Sequence, residues 1–201
     1  QGVSSAASDV YKRQQLHWTL RITVALCFIG HGTWGLITKS GWLPFFASQG
    51  IEPEIAWTLQ PLIGAFDILM AILLLRGTNR AILIWMFLWA LWTAILRPLA
   101  GNLEKVQIDG EWAVQLATDS MRVAKMQTWE FWERAGNWGP SFMLLVMGGA
   151  FAITRKDLFS KYEEPKIKDS TIDTIFFLCK TCLALLLICL LYTSDAADDT
   201  P

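Results

Sequence analysis

With two histidines in 201 residues, the chain has little from which to build a metal centre. His17 and His31 sit towards opposite ends of one apolar stretch, and a lone imidazole needs other ligands to hold a metal, so none is expected. The four cysteines, Cys27, Cys179, Cys182 and Cys189, form no disulfide framework of the kind small extracellular domains use. Flavin, haem, iron–sulfur and nucleotide motifs are absent, which points away from catalysis by this chain alone. Charge is sparse as well. Only 17% of residues are charged and the formal net charge is −1, a balance that does not suit nucleic acid.

What the chain has instead is apolar and aromatic bulk. Hydrophobic residues make up 53%, with 11 Trp and 11 Phe, too apolar for a soluble domain of this size. An all-α protein embedded in a lipid bilayer is expected. The two ends read differently. The stretch SSAASDVYKRQ (4–14) can be encoded by DNA whose reverse complement, shifted by one base, gives CLLYTSDAAD (189–198). That arrangement resembles the transposase recognition end used in shotgun library preparation, so 1–14 and 189–201 are expected to be non-native. Without them the formal charge moves from −1 to +1, because Lys12 and Arg13 leave with Asp9, Asp195, Asp198 and Asp199.

Apolar stretches at about 16–37, 55–76, 80–100, 139–154 and 171–188 each approach the roughly 20 residues a helix needs to cross a bilayer. Asn137 and Pro140 suit the start of the fourth as cap and first-turn proline. Arg76 and Arg80, together with Arg155, Lys156, Lys161, Lys166 and Lys168, mark two basic connections as cytoplasmic. The N-terminus is then inside, in a bacterial inner membrane, and 101–138 faces outward. In that outer connection Asp109-Gly110 reads as a turn, and Met121, Ala124, Trp129 and Trp132 recur at helical spacing, as in an interfacial helix over 117–136.

Ionisable residues inside spans are costly and normally face a partner or a cavity. Arg21 and Asp67 lie at depths of about 8 and 13 Å from the inner ends of their helices, close enough to pair. Such a pair serves either as a relay or counter-ion, or as a structural link between two helices. Near the outer face, His31, Arg97, Glu130, Glu133, Trp129 and Trp132 fall at one level. They read as a small ligand-binding cavity, or else as an anchoring belt with solvated charges. Cys179 and Cys182, in CKTC, are a candidate redox dithiol, although cysteine in an apolar span is also simply a small hydrophobe.

Arg21, His31-Gly32, Lys39 and Gly41-Trp42 in the first span, with FDILMAILLLRG carrying Asp67 in the second, resemble the DoxX-like family of small integral membrane proteins. The resemblance covers roughly 16–154. It implies a four-helix bundle over 15–154, with Gly32 and Gly35 at a close helix contact. Beyond it, charge and hydropathy mark 155–170 as a basic cytoplasmic linker and 171–188 as a truncated fifth transmembrane helix, which departs from the shortest members of the family. The resemblance also implies a redox-associated or envelope-stress role: a non-catalytic subunit that binds a small anion or a quinone headgroup near the outer face and meets an oxidoreductase partner subunit. A membrane scaffold or small-solute carrier is the alternative.

Overall fold

A computed structural model describes residues 2–77, 79–147, 158–159 and 171–184, with side chains from Tyr11 onward. The expected end of the fourth span, nearly all of the basic linker, residues 185–188 of the fifth span and 189–201 lie outside the described residues. Helix α1 (Gly2–Leu36) runs unbroken through the segment read as an appended end. After a 3-10 turn at Ser40–Trp42 come α2 (Leu43–Ala47), α3 (Pro53–Arg76), α4 (Arg80–Ala100), a hairpin of β1 (Leu103–Ile108) and β2 (Glu111–Leu116), α5 (Ser120–Glu133) and α6 (Ala135–Met147). Residues 171–184 are helical.

Helices α3 and α4 are each long and apolar enough to cross a membrane, and α1 joined to the bent segment Ser40–Ala47 makes a third candidate. Their outward faces carry Leu62, Leu69, Ile72 and Leu88, exposed residues that a bilayer would cover. Of the five expected spans, the fourth and fifth are only partly described. The fourth also starts earlier than expected: α6 begins at Ala135, so Asn137 is not its cap and Pro140 lies inside the helix. Arg134, which ends α5, already accepts from Asn137 N–H at 2.8 Å, and that leaves no room for a linker.

The packed faces follow helical spacing. On α3, Ala56, Gln60, Gly64, Asp67, Ala71 and Leu74 are buried along one stripe, and on α4 so are Leu83, Met86, Ala90 and Ala94. They enclose Leu20, Val24 and Phe28 of α1 and Met143 and Leu144 of α6. Helices α1 and α3 touch backbone to backbone where Gly32 and Gly35 meet Gly64. A Cβ on Gly32 would stand 2.6 Å from the Gly64 carbonyl oxygen, and one on Gly35 2.8 Å from that of Gln60. The close contact implied for Gly32 and Gly35 is therefore present.

The chain leaves α1 through Thr38, at φ 57, a left-handed conformation uncommon for a β-branched residue. It then doubles back by 106°, so that α2 lies across the end of the bundle. The 103–116 segment departs from the all-α expectation. Its turn falls at Asp109-Gly110, as read from the sequence, with φ of 52 and 87. These are the positive values that a two-residue hairpin turn needs. The flanking residues pair as antiparallel strands, Val106 opposite Ala113 and Gln107 opposite Trp112. The hairpin, α2 and α5 gather at the end of the bundle that holds His31 and Arg97.

Candidate functional site

A cavity of about 200 Å³ opens between α1, α3 and α4 beneath α2. His31 and Arg97 line it, as expected, and so do Arg134 and Asn137. Its aromatic walls are Trp42, Phe45, Trp89 and Trp92 rather than the expected Trp129 and Trp132. Trp132 is 40% exposed and packs edge-on against Phe131. Neither member of the expected pair lines the cavity, because α5 turns another face to α4. That face presents Glu130, whose Oε2 accepts from Arg97 Nη1 at 2.8 Å.

The histidine has a defined role in this arrangement. Its Nδ1 lies 3.1 Å from the Cys27 carbonyl oxygen, and its Nε2 lies 3.0 Å from Arg134 Nη1. A carbonyl can only accept and a guanidinium can only donate, so the ring is the neutral tautomer with its proton on Nδ1. His31 thus ties the α5–α6 junction to α1, and its ring stacks over Trp42 at 6.4 Å and 19°. Arg97, whose side chain is 11% exposed, is fixed on two sides: Glu130 holds one nitrogen, and the Phe45 ring lies 3.9 Å below its guanidinium carbon.

Glu133 does not line the cavity, though its carboxyl is near enough to interact with Arg97 and Arg134. Burial, followed by the negative charge of Glu130, pushes the Glu133 carboxyl above the ordinary glutamate range. An acid whose folded pKa is raised subtracts stability once pH exceeds its unfolded value, and subtracts nothing below it. Glu133→Gln is therefore expected to stabilise the protein at neutral pH by less than about 1 kcal/mol, given its solvent contact. The gain should vanish as pH falls below the usual glutamate pKa. Denaturation midpoints of both proteins across pH 3 to 8 check this.

The expected ion pair between Arg21 and Asp67 is not formed. Arg21 Nε donates to the Leu74 carbonyl oxygen at 2.7 Å and Nη2 to that of Leu75 at 3.4 Å, two turns beyond Asp67. The last carbonyls of a helix have no intrahelical donor, so a nearby guanidinium caps them in preference to a carboxylate further along. Asp67 instead lines the deep end of the cavity, where Trp89 is its side-chain hydrogen-bonding neighbour.

Three polar atoms of cavity-lining residues are buried with no hydrogen-bond partner among the described residues: Gln60 Nε2, Asp67 Oδ1 and Arg97 Nε. The Gln60 amide is oriented by Lys39 N–H, which donates to its Oε1 at 2.7 Å. Leaving such atoms unmet costs about 1 to 3 kcal/mol each, so a cavity that holds three is suited to a polar occupant. Gln60 was not legible in the sequence as a member of this site, and Asp67 was read as the partner of Arg21 rather than as a cavity residue. The signal available was their spacing on the stripe with Gly64, a polar pair seven residues apart on an otherwise small and apolar face.

Cys179 and Cys182 are free thiols away from the cavity. Cys179 Sγ lies 3.1 Å from Met143 Sδ, and Cys182 Sγ sits against Gly139. Among the described residues no cluster of three or more His, Cys, Asp or Glu is arranged to hold a metal.

The apolar spans and the aromatic-lined cavity between them define a mostly helical protein of multi-pass membrane type. No protein-family model, curated protein or solved structure matches the chain.

Proposed function

We propose that this protein is a non-catalytic membrane subunit of a quinone-linked redox system, and that its cavity holds a quinone-type ring at the outer end of the bundle. The observation that carries this reading is the pairing of aromatic walls with three unmet polar atoms in a cavity of about 200 Å³. A cavity of about 150 Å³ accommodates benzene, so this one suits a single substituted ring. The resemblance to DoxX-like proteins supports the same class, and the basic connections favour an orientation with the cavity mouth on the outer side of a bacterial inner membrane. A small anion fits less well, because Glu130 already neutralises Arg97 and Asp67 stands at the deep end.

Calorimetric titration of the purified full chain with tetramethylbenzoquinone and its hydroquinone tests the reading, since a fully substituted ring cannot alkylate the free cysteines. Saturable binding is expected, weakened about tenfold by Trp42→Ala through lost stacking and apolar contact. Binding of neither form would refute it. Solute flux through vesicles carrying the protein would instead favour a small-solute carrier.

A further inference from the structure

Resting on that reading, we infer that the cavity selects the reduced ring, with Asp67 accepting a hydrogen bond from a ligand hydroxyl while Gln60 and Arg97 donate to the opposite oxygen. The three unmet atoms differ in what they require. Gln60 Nε2 and Arg97 Nε are donors, and each needs an acceptor. An ionised Asp67 carboxylate only accepts, so its unmet Oδ1 needs a donor. A quinone carries two acceptor oxygens and no donor, and would leave Asp67 facing a carbonyl. A hydroquinone carries a hydroxyl at each end and can satisfy both poles.

The geometry agrees with a ring of that kind. Gln60 and Asp67 share one face of α3 seven residues apart, roughly 10 Å of helix rise. A ring with oxygens in para positions and one hydrogen bond at each end spans roughly 11 Å. The two poles are held independently of each other. Lys39 N–H fixes the Gln60 amide, and Trp89 neighbours Asp67 from α4. Neither group therefore has to give up a helix contact to meet a ligand.

The test compares tetramethylhydroquinone with tetramethylbenzoquinone, titrated anaerobically into the full chain in detergent at about pH 8.5, where Asp67 is ionised. The hydroquinone is expected to bind at least tenfold more tightly, the value of one hydrogen bond to a charged acceptor. In Asp67→Asn, whose amide can either donate or accept, the ratio should fall below about threefold. Equal affinities for the unaltered chain, or tighter binding of the quinone, would overturn the selectivity and leave ring binding standing. Binding of neither form would overturn the ring-binding reading along with it. The comparison within the unaltered chain does not depend on whether the variant folds.

Discussion

Gly64→Ala should lose roughly 2 kcal/mol or more of stability, although alanine is the better helix former by about 1 kcal/mol. The added Cβ would stand 2.5 Å from the Gly32 carbonyl oxygen, 2.7 Å from Leu36 N and 3.0 Å from Gly35 C. All three are backbone atoms and cannot swing aside as a side chain would. Relief requires α1 and α3 to move apart, which opens the contacts of Leu20 and Val24 with Leu74 and the Lys39 to Gln60 bond. The steric term therefore exceeds the propensity term. Gly30→Ala supplies the opposite sign on the facing helix α1, since a Cβ there meets nothing within 4 Å, and it should gain up to about 1 kcal/mol. Unfolding both variants in detergent with a denaturant series gives the comparison. Equal effects would show that the helices are not in close register at Gly64.

Glu130→Ala should cost on the order of 3 kcal/mol, the lower end of the range for a buried charge that loses its partner. Arg97 is the more buried member of the pair, at 11% side-chain exposure against 31% for Glu130, and would remain charged with Arg134 near it. Glu133 interacts with the same arginine, which keeps the loss at the lower end. Replacing both members, as Arg97→Met with Glu130→Met, should recover most of the loss, because packed apolar groups remove the desolvation cost together with the attraction. Additive losses in the double variant would show that the two side chains act separately.

Helices were the legible part of this chain. Apolar runs bounded by Arg76 and Arg80 marked the ends of α3 and α4 to the residue, because charge and glycine leave hydrocarbon together. The Asp-Gly turn was legible too, but its flanking residues alternate weakly, and Lys105, Gln107, Glu111 and Gln115 hid a hairpin in what looked like a polar connection. At the site, depth could be read from sequence and direction could not. His31, Arg97 and Glu130 were placed at one level; Arg97 and Glu130 do meet, and His31 lines the same cavity as Arg97. Trp129 and Trp132 were placed at that level too but do not line the cavity, since which face of α5 turns inward depends on packing against α4. Arg21 shows the same limit: its depth permitted Asp67, but its long side chain reached the unpaired carbonyls at the end of α3.

The apolar outer face of α3, from Ile55 to Leu75, is about 30 Å long, a bilayer's hydrocarbon thickness. In the orientation proposed above, Asp67 lies about 18 Å along it from the outer end. A charged species drawn from outside to the floor of the cavity would traverse more than half of the transmembrane voltage, on the order of 1.4 kcal/mol per 100 mV for each unit of charge. A neutral ring would feel none of it. Occupancy of this cavity by an uncharged ligand would therefore stay constant as the cell's membrane potential rises and falls, whereas that of an ion would follow it.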